Sequence, residues 1–394
     1  MPRVKCPKCF KEETVLRAGF IRGKQRFLCK ECNYHFILYK ERDNDKPSRR
    51  KNYATTIIDI AKVIGISVST VSRALKDHPD VSANTKKAVK QIASEMNYRP
   101  NALAQGLSKR ETRIVGVIIP DIETYFFSSI LTGIQRVASA AGYKVMISQS
   151  KESHKTEVAN THAFMTNWVD GLLICHSKET KTFEHIKLHL QSGIPIIHFD
   201  RVSEELETSK VLLDDVNGGY VVTEHLISQG CKRIALISGP KHLYVSKKRQ
   251  EGYAKALKKH HIEFDQQLVC NTDLTIKSIL ENVDRLLEQD KSVDAIFSIS
   301  DIGAIRIMVH LKNKGIKIPD QICVAGFGNE PMGEIIEPGL TSFNPQTYKI
   351  GETVAQLFLD HLSEGDNHII ETKIVKGNLI IRDSTLKSKV QADR

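Results

Sequence analysis

From residue 114 onward, short apolar runs alternate with amphipathic segments, and this alternation limits the folds open to the chain more than any other feature. Strands that are apolar throughout are covered on both faces, which predicts parallel, doubly wound sheets flanked by helices. We therefore expect an α/β body over residues 113–388, with ligands bound near the carboxyl ends of its strands. The runs are IVGVII, KVMISQ, GLLIC, PIIHFD, RIALISG, AIFSIS and ICVAGF.

The positive charge of the chain is concentrated at its amino-terminal end. The 394 residues carry a formal net charge of +11. Residues 1–113 hold 25 lysines and arginines against 11 aspartates and glutamates, a net charge of +14, and the remainder carries −3. This imbalance predicts a polyanion-binding module joined to a globular body with a different task. A merely solvated, charge-rich face is the alternative. The length predicts two or three domains.

The amino-terminal stretch MPRVKCPKCFKEE lacks the apolar region of a secretory signal, and no run in the sequence is long and apolar enough for a membrane helix. We therefore expect a cytoplasmic protein with no membrane partner. In that compartment cysteines stay reduced. Four scattered cysteines with apolar neighbours are predicted to be buried core residues: Cys175, Cys231, Cys270 and Cys323.

The other four cysteines form two C-x-x-C pairs, Cys6 with Cys9 and Cys29 with Cys32. Two such pairs supply four thiolates that close a tetrahedral shell, the pattern of structural zinc sites. A segment of this size has too little apolar mass to fold without such a clip. Residues 1–39 are therefore predicted to be a small zinc ribbon, disulfides being the alternative. Residues 40–53 are polar throughout and predict a mobile linker.

Residues 54–99 carry the start and stop signals of three helices. Thr56 and Asp59 approximate a capping box, and Gly65 ends the first helix. Ser67 is placed to cap a second helix over 68–75, and Ser82 opens a third. The third helix is expected to pack through a stripe of apolar residues: Ala88, Val89, Ile92, Ala93 and Met96.

On the second helix, Val71 and Leu75 lie one turn apart and are expected to face inward. This leaves Val68, Ser69, Ser72 and Arg73 outside. Two short helices joined by a glycine turn, the second presenting hydroxyls and an arginine, are typical of a helix-turn-helix. Such a helix enters the major groove of double-stranded DNA. A three-helix interaction module is the alternative, but it does not explain the hydroxyl-rich face.

Between and after the two cysteine pairs, GFIRGKQRFLCKECNYHF resembles the zinc ribbon at the amino terminus of insertion-sequence transposition proteins. The resemblance covers roughly residues 4–36 and implies contact with nucleic acid. A ribbon that binds protein, or that only stabilises the chain, is the alternative. The matching positions are Gly23, Gln25, Arg26, Phe27 and Phe36.

The segments IDIAKVIGISVSTVSRAL, VSANTKKAV and MNYRPNALAQGLSKR resemble the headpiece and hinge of the lactose-repressor (LacI/GalR) family, and the match continues to about residue 388. The resemblance implies a homodimer on an operator and a helix-turn-helix headpiece. It also implies a periplasmic-binding-protein-like effector domain of two doubly wound parallel-sheet subdomains, joined by crossing strands. DNA-binding roles then fall on Ser67, Val68, Ser69, Thr70, Ser72, Arg73 and Asn84.

The resemblance further implies that residues 100–112 form a hinge helix when two copies pair over DNA. Leu107 takes the place of a residue that wedges into the minor groove, and Ala104 is small enough for the two helices to approach. Asn101 belongs to the same DNA-binding segment. A plain linker is the alternative. Residues 389–394 are left as a tail.

Family members hold sugars or similar polar metabolites between the two lobes. The matching positions follow apolar runs in this chain: Phe126, Phe127, Asp200, Arg249 and Asp301. Carboxylates accept hydroxyl hydrogen bonds, and rings cover the apolar face of a ligand. Asp301 as a helix cap and Arg249 as a subunit-facing ion pair are the alternatives. Leu274, Gly328-Asn329 and Asn344 depart from the family pattern and weaken an assignment to a hexose.

These observations predict a sequence-specific transcription regulator, a repressor controlled by a small-molecule effector. The sequence shows no nucleophile-base pair and no phosphate-binding loop, so we do not expect an enzyme. A transposition-associated DNA-binding protein is the alternative that the ribbon suggests. The interpretation as a solute-binding transport protein conflicts with the helix-turn-helix headpiece and with the missing secretory signal.

Overall fold

A computed structural model describes residues 4, 6, 13–21, 24–37, 55–98, 111–166, 169–190, 193–288 and 293–387. The contacts divide the chain into two units, Met1–Pro100 and Asn101–Arg394. Several predicted features lie outside the described residues, namely Cys9, Gly23, the linker 40–53, the hinge residues Asn101, Ala104 and Leu107, and the tail. Among the described residues, no helix combines the length and apolarity that a bilayer-crossing segment requires.

The first unit begins with a three-stranded antiparallel sheet. Its strands are β1 (Val15–Ile21), β2 (Lys24–Cys29) and β3 (Tyr34–Ile37), in the order β1-β2-β3. Among the residues that the structure describes here, Cys6 and Cys29 are the fully buried members of the cluster, which is a small apolar core. So small a core supplies little hydrophobic stabilisation.

Three helices follow, and each begins where its capping residue predicts. They are α1 (Ile57–Ile64), α2 (Val68–Leu75) and α3 (Ala83–Glu95). Thr56 and Asp59 form the reciprocal capping box, and Gly65 ends α1 in the left-handed region at φ 76°. The side chains of Ser67 and Ser82 accept backbone N–H groups at the starts of α2 and α3, as expected.

The headpiece core contradicts one prediction. Ala88 is exposed, whereas the neighbouring Val89 is fully buried. One residue rotates a helix by about 100°, so Ala88 and Val89 point in different directions, and Val89 is the one that faces the core. The small alanine side chain gains less from burial than valine does. The buried residues of this core are Ile60, Ala61, Val71, Ala74, Val81, Val89 and Ala93.

The second unit has two lobes, each built on a six-stranded sheet. The first-lobe sheet has the order β14-β8-β7-β6-β4-β5 and is parallel throughout. Its strands are β4 (Ile114–Ile119), β5 (Lys144–Gln149), β6 (Gly171–Ile174), β7 (Ile196–Phe199), β8 (Ser209–Leu213) and β14 (Thr372–Val375). Its helices are α4 (Tyr125–Ala140), α5 (His154–Thr166), α6 (Glu184–Leu190) and α12 (Thr347–Glu364).

The second-lobe sheet has the order β10-β9-β11-β12-β13-β15. Its strands are β9 (Ile234–Ser238), β10 (Val269–Asn271), β11 (Ala295–Ser298), β12 (Cys323–Phe327), β13 (Thr341–Asn344) and β15 (Asn378–Ile380). Its helices are α7 (Asp215–Ser228), α8 (Tyr244–Lys259), α9 (Ile276–Leu287), α10 (Asp301–Asn313) and α11 (Met332–Ile335). The four scattered cysteines are buried, as predicted.

The expectation of wholly parallel sheets is wrong for β15, which pairs antiparallel with β13. The chain crosses between the lobes three times: after β8, after β13 and after β14. Parallel strands in both lobes run their carboxyl ends toward the other lobe. A strand that enters the second lobe directly from β14 must therefore run in the opposite direction.

The expectation that every apolar run is covered on both faces is wrong for β5. This strand lies at the edge of the first-lobe sheet, and Met146 and Ile147 are each 41% exposed. The composition of the run does not reveal its place in the sheet, because an edge strand can be as apolar as a central one.

Candidate functional site

A cleft with a volume of about 310 Å³ lies between the two lobes, where the carboxyl ends of both sheets face each other. All five side chains predicted to bind an effector line this cleft: Phe126, Phe127, Asp200, Arg249 and Asp301. They were predicted by the strand-end rule, which states that polar residues following apolar parallel strands meet at one edge of the sheet, and the structure brings them to one cleft.

Asp200 follows β7 directly and is 4% exposed. The Cys175 Sγ donates to Asp200 Oδ2 at 3.6 Å. Burial raises the pKa of the Asp200 carboxyl, and the neighbouring charges of Arg201 and Arg249 counteract part of that rise. Asp200 is thus a buried acceptor with capacity for a ligand hydroxyl.

Arg249 lies in α8 and is buried against the cleft. Its Nε donates to Asp215 Oδ1 at 2.8 Å, and its Nη1 donates to the Ile299 carbonyl at 2.7 Å. The guanidinium carbon is 3.6 Å from the centre of the Phe327 ring, a cation–π contact. Its ion pair is thus made with Asp215 of the same chain, and the subunit-facing alternative is wrong.

Asp301 is the first residue of α10 and is 1% exposed. Its carboxylate accepts the Ser342 hydroxyl at 2.7 Å and the Glu330 N–H at 2.8 Å. Burial raises its pKa to about 6, although these two hydrogen bonds favour the charged form. The helix-cap alternative is also wrong, because Ser300 holds the N-cap position of α10.

Phe126 and Phe127 occupy the first turn of α4, with their rings edge to face at 5.1 Å between centres. The Phe126 N–H donates to Glu330 Oε1 of the second lobe at 3.3 Å. Leu274 also lines the cleft, at the position where the family pattern suggests an aromatic residue. The cleft therefore has two apolar sides, one from each lobe.

Sequence reasoning missed several charged residues of the cleft, chiefly Glu152, Lys178, Arg201 and Glu330. Arg201 Nη1 donates to both oxygens of Glu152, at 2.8 and 2.7 Å. Glu152 and Lys178 follow β5 and β6, and Glu330 follows β12. The same strand-end rule could have found them, had it been applied to loops as well as to the residue next to each strand.

Lys178 joins the two lobes across the mouth of the cleft. Its Nζ donates to the Asp273 carbonyl at 2.8 Å, and its own carbonyl accepts His242 Nε2 at 2.7 Å. Asp273 and His242 both belong to the second lobe, since they follow β10 and β9. Together with the bond from Phe126 to Glu330, these contacts hold the lobes in a closed arrangement.

On α2, Val68, Ser69 and Arg73 are exposed, and Thr70 and Ser72 are half-buried. The Ser67 hydroxyl is 2.8 Å from both the Ser69 and the Thr70 hydroxyls while it caps the helix. Asn84, in the first turn of α3, is exposed as well. The surface of α2 thus offers hydroxyls and one guanidinium to a partner.

Three of the four predicted zinc ligands fall within the described residues. The Sγ atoms of Cys6, Cys29 and Cys32 all lie within 4.8 Å of one another, and those of Cys6 and Cys32 are 3.5 Å apart. Sulfurs bound at about 2.3 Å to one tetrahedral zinc are about 3.8 Å apart. The described cysteines therefore fit a zinc site.

Residues 112–382 match the family model described as "Periplasmic binding proteins and sugar binding domain of LacI family", and residues 56–101 match "Bacterial regulatory proteins, lacI family". The repressor CytR of Escherichia coli K12 is 29% identical over 86% of this chain and 98% of its own length. The ribose operon repressor of Halalkalibacterium halodurans is 31% identical, with 84% and 97% covered. A solved structure, the CelR–cellobiose complex, is 27% identical, with 84% and 99% covered and a TM-score of 0.64.

Proposed function

This chain belongs to the LacI family of bacterial regulatory proteins, and from that membership we propose a repressor whose hold on an operator depends on a small molecule bound between its lobes. The observation that carries the proposal is the cleft, in which buried Asp200, Arg249 and Asp301 converge where the two lobes meet. The family membership favours a regulator over a transposition protein.

Control of DNA binding requires that the ligand prefer one arrangement of the lobes. The bonds from Lys178 to Asp273 and from Phe126 to Glu330 are made only when the lobes are close together. A ligand that touches both walls favours this closed arrangement. The predicted hinge, residues 100–112, would carry the change to the headpiece.

The chemistry of the cleft supports a neutral, polyhydroxylated effector, such as a sugar or a nucleoside. The carboxylates of Asp200, Asp301 and Glu330 accept hydroxyl hydrogen bonds, and Phe126 and Leu274 cover apolar faces. The two cleft arginines already pair with carboxylates of this chain, Arg201 with Glu152 and Arg249 with Asp215. The lining holds five carboxylates and three cations, Lys178 included, so a phosphorylated ligand would meet a net negative charge.

The headpiece is proposed to read an operator through α2. Arg73 can donate two hydrogen bonds to one guanine, Ser69 can bond a base edge or a phosphate, and Val68 can contact a thymine methyl group. Thr70, Ser72 and Asn84 would hold the phosphate backbone. The Ser67 oxygen accepts the Thr70 N–H and so positions α2, while its hydroxyl proton can still be donated to a phosphate.

A homodimer is proposed because a roughly palindromic operator needs two copies of α2. The exposed edge strand β5, with Met146 and Ile147, supports a contact between two copies, since exposed apolar edges are covered in stable proteins.

The ribbon is proposed to hold one structural zinc through Cys6, Cys9, Cys29 and Cys32. Four thiolates close the coordination shell, so the ion would stabilise the fold and leave no position for catalysis. The 3.5 Å separation of Cys6 and Cys32 supports this donor set. Exposed Lys30 and half-buried Arg26 offer charge for nucleic-acid contact.

The proposal is tested by footprinting the full chain on genomic fragments, with and without a panel of sugars, nucleosides and their phosphates. We expect protection of a roughly palindromic site that changes with a neutral ligand and not with its phosphate. Protection confined to the ends of insertion elements would contradict the regulator. Protection that no ligand alters would contradict control through the cleft.

A further inference from the structure

A histidine cluster surrounds one buried glutamate in the first lobe. Glu157, in α5, is 0% exposed, and its two oxygens accept four hydrogen bonds. Oε1 accepts His176 Nδ1 at 2.8 Å and His185 Nε2 at 2.9 Å. Oε2 accepts the Ser177 N–H at 2.6 Å and the Thr180 hydroxyl at 2.8 Å. The carboxylate is therefore fixed in position by neighbouring loops and helices.

His154 adds a third donor group to this cluster. It is the first residue of α5, three positions before Glu157, so both side chains lie on one face of the helix. Its ring centre is 5.3 Å from that of His185. One ligand atom each from His154, Glu157 and His185 lie within 4.8 Å of one another. His154 is half-buried, which leaves the group open to solvent on one side.

Two imidazoles and one carboxylate are a donor set suited to zinc and other divalent first-row transition metals. Ligand atoms at about 2.0–2.2 Å from a tetrahedral zinc are about 3.4 Å apart. His185 Nε2 and Glu157 Oε1, at 2.9 Å, need to separate by only a fraction of an ångström. His154 is held weakly, its Nδ1 lying 3.4 Å from the Thr180 hydroxyl, so its ring can turn to complete the set.

The cluster also has bonding capacity that the protein does not use. His176 bonds the carboxylate through Nδ1, and its other ring nitrogen is Nε2. That Nε2 and the Nε2 of His198 are buried and have no hydrogen-bond partner among the described residues. The two rings lie 4.9 Å apart. Buried ring nitrogens without partners point to a bound water or ion.

We propose that His154, Glu157 and His185 form a transition-metal site, separate from the four cysteines and from the effector cleft. When the ion binds, the ring of His185 takes the neutral tautomer, in which the proton moves from Nε2 to Nδ1, and Nε2 coordinates the ion through the freed lone pair. Glu157 Oε1 then bonds the ion, while Ser177 and Thr180 keep hold of Oε2 and orient the carboxylate. Water fills the fourth position from the exposed side.

A buried glutamate held by two histidines is also stable without metal, so the test is directed at His154, which the hydrogen bonds of Glu157 do not need. The full chain is dialysed against limiting Zn²⁺ and, separately, Co²⁺. Wild type is compared with His154→Ala and with a control, His162→Ala, which removes an exposed histidine of the same helix. Far-UV circular dichroism checks that all three are folded.

We expect His154→Ala to bind one metal ion fewer per chain than wild type, and His162→Ala to bind as many as wild type. The difference spectrum between cobalt-loaded wild type and His154→Ala should show visible d–d bands without the near-ultraviolet thiolate band of a cysteine site. Equal metal content and equal cobalt spectra for wild type and His154→Ala would overturn the proposal. A lost thiolate band would do so as well, because it would assign the lost ion to cysteines.

Discussion

The headpiece and the cleft hold their functional groups in opposite ways. On α2 the side chains proposed to bind DNA are exposed or half-buried, and neighbouring residues of the same helix support them. In the cleft, Asp200, Arg249 and Asp301 are buried. They are supported by residues distant in sequence, as Arg249 is by Asp215 and Asp301 by Ser342. Removing an exposed group changes the free energy of unfolding little, whereas removing the partner of a buried charge lowers it strongly.

The largest effect is expected where a buried charge loses its partner. Arg249→Met should destabilise the body by about 3–5 kcal/mol, because Asp215 is left buried without its counter-charge. Chemical denaturation of the full chain measures this loss. The matched variant Arg249→Met/Asp215→Asn should recover most of it. A loss of less than about 1 kcal/mol in the single variant would mean that the cleft is no more interdependent than the headpiece.

The second effect is the pH dependence of the body. The pKa of Asp301 is raised to about 6, above its unfolded value near 4, so the folded state binds this proton more tightly. The contribution of this carboxyl to the free energy of unfolding is complete below pH 4. It decreases by about 3 kcal/mol as the pH rises through 6. Asp301→Asn should flatten the dependence between pH 4 and 6, measured by denaturation. An unchanged slope would contradict the buried, desolvated carboxyl.

A smaller effect is expected for recognition by α2. Arg73→Lys keeps the charge but loses the two-pronged geometry, so operator binding should weaken by about 1–3 kcal/mol. Non-specific binding, and its dependence on salt, should stay the same because the number of neutralised phosphates does not change. Competition binding at several salt concentrations separates the two. If the affinity for operator and for non-operator DNA decreased equally, Arg73 would contact a phosphate and not a base.

The smallest effect is expected at the cap of α2. Ser67→Ala removes the acceptor for the Thr70 N–H and should cost about 1 kcal/mol of headpiece stability. Ser94→Ala, at an exposed position inside α3, is the control and should change stability by less than about 0.5 kcal/mol. Thermal unfolding followed through the helical signal measures both. A cost at Ser67 as large as that at Arg249 would remove the contrast between the two regions.

The same contrast explains how much the sequence could predict. Helix starts at Ser67 and Ser82 depend on residues within one turn, and they were predicted correctly. The strand-end rule located Asp200 and Asp301. The bridge from Lys178 to Asp273 joins loops of different lobes, and the reversed strand β15 depends on where the chain crosses, so neither leaves a local pattern. The predictions that Ala88 is buried and that β5 is covered on both faces were wrong for a related reason. Composition does not reveal which element packs against a given side chain.

The three crossings between the lobes have a consequence for synthesis on the ribosome. The first lobe takes α12 and β14 from residues 347–375, and the second lobe takes β15 from residues 378–380. Neither lobe is complete until almost the whole chain has been translated. The headpiece, whose helices end at Glu95, has all its own residues long before that. A nascent chain therefore has a finished DNA-reading end well before it has a working effector cleft.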